Sequence, residues 1–245
     1  MKTRTLRWAL AGCLLAHGAL ATAAETGLRY ISTAGDYIGG GIQQTLKTPN
    51  ASISIDGSNP QRVGASVSDP NNWWSLDFAA PTGATLAVGS YADASRYPFQ
   101  SPLRPGLSMS GNGRGCNTLR GWFRVLELER DAAGTLKRLA VDFVQNCEVN
   151  GPPLYGVLRY RSTLPLSVPT LAAVAGPDVA VIAGEAVRLD GGQSFTRQKG
   201  ATLTRRWTQL DGPAVVLDND SAVSPGFTAG RRHAALPPGD RKSTR

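Results

Sequence analysis

The sequence predicts an all-β protein: an N-terminal antiparallel β-sandwich or jelly-roll-like domain followed by an incomplete immunoglobulin-like sandwich. Three observations point there. Between positions 28 and 162, apolar and polar residues alternate with period two in run after run, the mark of strands with one buried face. Gly, Pro, Asn and Asp separate these runs, and no helical period of comparable length competes with them. A stretch with three prolines at 163–177 then sets this pattern apart from a second β-rich one.

The chain opens with MKTRTLRWALAGCLLAHGALATAAET. Lys2, Arg4 and Arg7 precede an apolar run from Trp8 to Ala16, and Ala19-Leu20-Ala21 or Ala21-Thr22-Ala23 offers a cleavage signal. Residues 1–24 are therefore expected to be a secretory signal peptide, which places the mature chain outside the cell or in the periplasm. A lipid-attachment reading of Leu10-Ala11-Gly12-Cys13 competes, although the apolar run continues past Cys13. No later segment approaches the ~20 apolar residues of a membrane-spanning helix, so no transmembrane segment is expected.

Within 25–162, Ile53 and Ile55 share one face of ASISIDG, and Val63, Ala65 and Val67 share one face of RVGASVSD. In WWSLDFAAP, Trp74, Leu76 and Phe78 point inward, with Trp74 a core residue, while Trp73, Ser75 and Asp77 point outward. The clearest hairpin is NTLRGWFRVLELER, the turn DAAGT, then LKRLAVDFVQNC. Its second strand directs Leu139, Val141, Phe143 and Cys147 to the core. The first strand changes phase near Val125-Leu126, where a β-bulge restores the alternation. PLYGVLRYRS is expected to add a third strand. GDYIGGGIQQT has the glycine density of a phosphate loop without its Gly-Lys-Ser/Thr ending or a following helix, so it reads as a tight turn.

Cys116 and Cys147 are the only cysteines beyond the leader. In an oxidising compartment they are expected to pair, which is worth roughly 3–4 kcal/mol in the chain-entropy account. Residues 163–173 read as a linker and 231–245 as a basic, disordered tail.

The region 174–230 carries Ala183-Gly184-Glu185, Leu189-Asp190-Gly191, Trp207-Thr208-Gln209, Gly212-Pro213 and Phe227-Thr228-Ala229. In these motifs it resembles the PKD and REJ family of extracellular immunoglobulin-like modules. The resemblance implies a β-sandwich with Trp207 in its core and a role in adhesion, polysaccharide association or spacing. Where that family has an acidic loop this chain has SFTRQKGAT, which puts a calcium role there in doubt. The family's last two strands follow Phe-Thr-Ala, whereas here Arg, Pro, Gly, Ala and His follow. A truncated or frameshifted fragment near Gly230, or a natural basic tail, accounts for this. In either case an open strand edge is left that another chain can pair with. Residues 28–162, with GDYIGGG, WWSLDFAAP, RYPFQSP and GRGCN, also resemble a recurrent module of exported bacterial proteins with no established activity.

The chemistry is bounded by what is missing. His17 and His233 are the only histidines, in the leader and the tail. That removes Ser-His-Asp and Cys-His catalysis and the usual zinc sites, and bridged cysteines remove a thiol nucleophile. No Ser-x-x-Lys motif involves Lys47, Lys137 or Lys199. No cofactor or metal is expected, and Asp218 with Asp220 read as a turn rather than a calcium loop. Of the net charge of +8, three positive charges lie in the leader and a net four in the last fifteen residues. That leaves the body at +1, so a nucleic-acid partner is not expected.

Two chemistries remain. Glu127 and Glu129 share a strand face and Asp142 lies across the hairpin, so a carboxylate pair for glycan cleavage is conceivable beside the plainer reading of a solvated face. The alternation also directs Trp73 and Trp122 outward, with Tyr97 and Phe99 in the RYPFQSP loop. Exposed rings offer flat faces for a sugar or a partner side chain, against the alternative that they cover strand edges, pair across strands or pack under loops. The leading expectation is a non-catalytic binding, adhesion or spacer protein whose partner is a polysaccharide or an extracellular protein.

Overall fold

The structure, a computed structural model, describes residues 23–177, 179–210 and 212–230, and these contain strands and no helix. The leader with Cys13 and His17, and the tail with His233, lie outside the described residues.

The alternating runs form β1 (Glu25–Ser32), β2 (Gln43–Lys47), β3 (Ser52–Asp56), β4 (Arg62–Asp69) and β5 (Asn72–Ala79). After them come β6 (Gly89–Arg96), β7 (Gly106–Gly111), β8 (Leu119–Arg130), β9 (Leu136–Cys147) and β10 (Pro153–Ser162). All ten join one sheet in the order β2-β1-β10-β9-β8-β6-β7-β5-β4-β3. Neighbours are antiparallel except β6 and β7, which run parallel through Ser95–Gly106 and Arg96–Leu107. The sheet is therefore mixed where a purely antiparallel one was expected. Only the end of β6 and the start of β7 overlap, over two residue pairs, so the connection 97–105 has little strand length to retrace.

Chain connectivity dictates the shape of this sheet. A flat ten-stranded sheet would separate its outer strands by roughly 40 Å at the usual strand spacing. Yet those outer strands, β2 and β3, are joined by residues 48–51, which span at most about 19 Å. The sheet must roll until its two edges meet. Side chains confirm the closure: Tyr30 of β1 meets Trp74 of β5 edge-on at 5.4 Å between ring centroids. Phe78 of β5 meets Phe123 of β8 and Phe143 of β9 at 5.4 and 5.5 Å. The expected layers are thus opposite walls of one rolled sheet.

The core follows the sequence pattern closely. Val63, Ala65, Val67, Trp74, Leu76, Phe78, Leu139, Val141, Phe143 and Cys147 are all buried in it, and Ile53 and Ile55 pack against it. The β8–β9 register shifts between Val125 and Glu127, at the expected bulge. Cys116 and Cys147 are disulfide-bonded across a Cα–Cα distance of 5.3 Å. The glycine-rich stretch is the turn between β1 and β2. Buried Asp36 accepts bonds there from the Ser32 hydroxyl at 2.6 Å and the Gly39 N–H at 2.8 Å.

Gln145 also points into this core and is completely buried. Its Oε1 accepts from the Met109 N–H at 2.7 Å and its Nε2 donates to the Met109 carbonyl at 2.9 Å. β6 pairs with β7 only as far as Leu107, so Met109 has no strand neighbour on that side. The amide of Gln145 takes the place of the missing strand.

Beyond Ser162 regular structure thins. β11 (Leu171–Ala172) pairs with β13 (Phe195–Thr196), and β12 (Ala186–Arg188) pairs with β14 (Gly226–Thr228). Residues 201–210, ATLTRRWTQL, join no sheet. Trp207 is half-buried, belongs to neither apolar cluster, and is held by its indole N–H donating to the Ala222 carbonyl at 2.9 Å. Its expected place in a core is not seen, because no paired strand stands beside it.

Replacing Gln145 by Met keeps most of the volume and strands both Met109 backbone groups. We expect a loss of about 2–4 kcal/mol in urea unfolding together with faster amide exchange at Met109, since each buried unsatisfied group costs ~1–3 kcal/mol. Wild-type stability in this variant would show that water replaces the amide.

Candidate functional site

Two of the four aromatic residues singled out in the sequence, Trp73 and Tyr97, line one cleft on the barrel. A cleft of about 390 Å3 lies over β5 and β7, with Trp73, Tyr97, Pro98, Ser108, Ser110, Arg96, Asp77 and Arg114 among its lining residues. Strand alternation explains the floor. Leu107 and Met109 point inward, so Ser108 and Ser110 of the same strand point out, opposite Asp77 and Ser75 of β5.

Trp73 is 55% exposed, as the alternation predicts. Its backbone is fixed at both polar groups by one residue: its N–H donates to the Asn112 side chain at 2.8 Å, and its carbonyl accepts from the Asn112 N–H at 3.1 Å. Asn112 and Gly113 have positive φ, 49° and 74°, and they form the two-residue turn between Gly111 and Arg114. Asn-Gly is the preferred pair for such a turn because both positions must be left-handed. The turn also delivers Arg114 to the cleft.

Tyr97 presents one face to the Arg62 guanidinium, 5.3 Å from its ring centroid. Arg62 in turn reaches Asp77 Oδ1 through Nε at 2.7 Å and Nη2 at 2.6 Å. Desolvation alone would lower the pKa of Arg62, but the hydrogen bond and charge of Asp77 outweigh it, and the guanidinium is held above its ordinary value. Asp77 is therefore a paired carboxylate, and the same guanidinium also reaches Asp56 at 3.0 Å. Phe99, 72% exposed, lies outside the cleft lining and supports Arg96, whose guanidinium carbon stands 4.7 Å from its ring centroid. It is a positioning residue.

Trp122 differs from its expectation. It does point away from the barrel core, opposite to Phe123, but it is only 4% exposed. Ala172, Val174 and Phe195 cover it together with Val144 and Ala92, and the Phe195 ring stacks on it at 6.1 Å. Phe195 also meets Tyr155 of β10 at 4.6 Å. The stretch read as a linker is thus bound along the barrel wall. Arg124 donates to the Ala173 carbonyl at 2.7 Å, and Arg159 to the Pro165 carbonyl at 3.1 Å. Gln193 bridges the irregular β6–β8 register, accepting from Asp93 N–H at 2.9 Å and donating to Gly121 C=O at 3.0 Å. Alternation tells which way Trp122 points; it does not tell that a later segment occupies the space there.

The carboxylates do not form an open pair. Asp142 is bound to buried Arg159 at 2.7 Å and lines a cleft of about 460 Å3 between the barrel wall and residues 169–175 and 203–207. Glu127 is not among the residues lining that cleft, and Glu129 faces Arg138 at 3.6 Å. A larger groove, about 1100 Å3, lies wholly in the second region along Leu189, Trp207, Leu217 and Phe227. Among the described residues no group of three or more His, Cys, Asp or Glu is placed to hold a metal ion, and no helix is long and apolar enough to cross a membrane.

Arg96 and Arg114 were not foreseen as site residues. The Asn112-Gly113 dipeptide was the available signal, since a tight hairpin there puts residue 114 beside residue 73. No protein-family model, curated protein or solved structure matches this chain. The class it defines is accordingly structural: an all-β, disulfide-stapled barrel.

If Trp122 is a packing residue, Trp122→Ala should cost about 3–5 kcal/mol and open the Arg197 bond to trypsin, whereas Trp73→Ala should stay within about 1 kcal/mol of wild type. Urea unfolding and limited proteolysis measure both, and a Trp122→Ala protein as stable and protease-resistant as wild type contradicts the packing role.

Proposed function

We propose that the chain is an exported, non-catalytic binding module that takes a polysaccharide in the Trp73–Tyr97 cleft. The observation that carries this reading is the exposed indole of Trp73, anchored through its backbone on both sides, beside a cleft floored by serine hydroxyls. A flat apolar ring next to hydroxyls complements a pyranose, which has an apolar C–H face and polar edges. Export rests on the leader-like start of the sequence and fits the disulfide. A non-catalytic role is favoured because the cleft holds neither a histidine nor an unpaired carboxylate among its lining residues.

A second reading concerns partner contact through residues 174–230. There Leu210 and Val216 are 95% and 89% exposed, and Val216 lines the large groove of that region. An extended chain segment lying along residues 201–210, which join no sheet, would cover such side chains.

The test of the first reading is titration of intrinsic tryptophan fluorescence with a panel of soluble polysaccharides. We expect saturable binding by the wild type, weakened at least about fivefold in Trp73→Ala and in Tyr97→Ala, consistent with the ~0.5–1.5 kcal/mol of a ring contact plus lost area. Unchanged affinity in both variants would refute the cleft as the site.

A further inference from the structure

We infer that the saccharide received by this cleft is acidic, a uronate-containing chain whose carboxylate is bound by Arg96 and Arg114. This rests on the saccharide reading above and adds the charge of the ligand to it.

The inference comes from how the guanidinium groups of the barrel are employed. Arg62 and Arg159 each hold a carboxylate at 2.6–2.7 Å, and Arg104 and Arg120 both hold Asp93, at 2.7 and 3.1 Å. Arg124 and Arg130 are committed to main-chain carbonyls. The two that line the cleft form no ion pair among the described residues, as is also true of Arg29 and Arg161 elsewhere on the barrel. Neither Arg96 nor Arg114 has a carboxylate oxygen within 4 Å among the described residues. Arg96 donates one side-chain bond, Nη1 to the Asn117 carbonyl at 3.1 Å. The nearest acid to influence it, Glu148, is held below its ordinary pKa chiefly by the Asn117 N–H and the Thr118 hydroxyl, with Arg96 a lesser cause.

Arg114 stands out further. Its guanidinium lies against the face of Trp74, 5.8 Å from the ring centroid, and over Gly40, and its buried Nε has no hydrogen-bond partner. That Nε is closed to a ligand, as are the unpartnered Arg130 Nη2 and Arg205 Nε, so a carboxylate would be met by the two Arg114 Nη groups, which make no hydrogen bond among the described residues. The only carboxylate in the cleft lining, Asp77, is paired with Arg62, which also holds Asp56 at 3.0 Å outside the cleft lining. Two arginines without a carboxylate within 4 Å therefore line a small concave site with an aromatic plate and with the Ser108 and Ser110 hydroxyls, which make no hydrogen bonds among the described residues. A neutral sugar would leave both charges unmet, and an acidic peptide would leave the plate and the hydroxyls unused. A uronate satisfies all three features.

The probes are polygalacturonate, alginate and hyaluronan, each compared with its own methyl ester, which keeps the rings and removes the charge. Calorimetric titration of the intact chain should show at least one acid bound ten times or more tightly than its ester, with affinity for the acid falling as salt rises. Arg96→Gln and Arg114→Gln should each erase most of that preference while leaving the ester unaffected. Arg188→Gln, far from the cleft, should change neither. Should Arg114→Gln unfold, Arg114→Lys retains the charge and is expected to keep a reduced preference. Esters bound as tightly as acids, equal loss of both forms in the arginine variants, or polyglutamate competing as well as the uronates would each overturn the assignment. Binding of neither acids nor esters, with Trp73→Ala indistinguishable from wild type, would instead overturn the saccharide reading itself.

Discussion

Lys47 and Ser52 are separated by four residues, yet they belong to the two opposite edges of a ten-stranded ladder. So short a tether is incompatible with a flat sheet, and the roll that it enforces creates the interior. Tyr30 meets Trp74, and Phe78 meets Phe123 and Phe143, only because strands distant in the ladder face one another across that interior. The same roll splays the outer surface, so that the outward side chains of β5 and β7 line a concavity rimmed by the 97–98 loop and the 111–114 turn. The candidate site is a consequence of closure.

A rolled mixed sheet leaves backbone groups that no strand reaches, and the chain meets two such gaps with side-chain amides. Gln145 completes β7 at Met109 from inside the barrel, and Gln193 completes the broken β6–β8 register from outside. A primary amide sets an N–H donor beside a carbonyl acceptor in nearly the geometry of a peptide group, with a second N–H to spare, so it can stand in for a strand over one residue. The two differ in what they couple. Gln145 joins walls of one barrel, whereas Gln193 comes from the second region and makes its seating on Trp122 specific as well as apolar. Burial of Trp122 and satisfaction of the Asp93 N–H are parts of one interface.

Much of the barrel was legible because period two is a local property. The inward sets at 63–67, 74–78 and 139–147, the phase change near Val125, the hairpin turn at 131–135 and the cysteine pair all reappear in the structure. Each depends on neighbours in sequence or on a count. What was not legible depends on pairing between distant segments. β6 and β7 could not be foreseen as parallel neighbours, because nothing within either strand states its partner. Trp122 shows the limit most sharply: its direction follows from Phe123, while its burial follows from residues fifty to seventy positions later. Gln145 sits on an inward position that looks like an error in the pattern until the gap at Met109 is known.

At the site the aromatic residues were visible and the charges were not. Trp73, Tyr97 and Phe99 draw attention by type, but an arginine becomes informative only when its partners are known, and partners are a tertiary fact. Arg62 and Arg96 are each near an aromatic ring, and sequence alone gives no reason to rank them. The structure separates them through Asp77, which occupies Arg62 and leaves Arg96 and Arg114 without a carboxylate. Charge concentrated in a cleft with low-dielectric walls is also felt more strongly than the same charge on a convex surface, because less water stands ready to screen it. Although the body of the chain is nearly neutral, two cations without an ion pair stand together in one concave place. Local imbalance of this kind, rather than net charge, is the quantity that selects an anionic ligand.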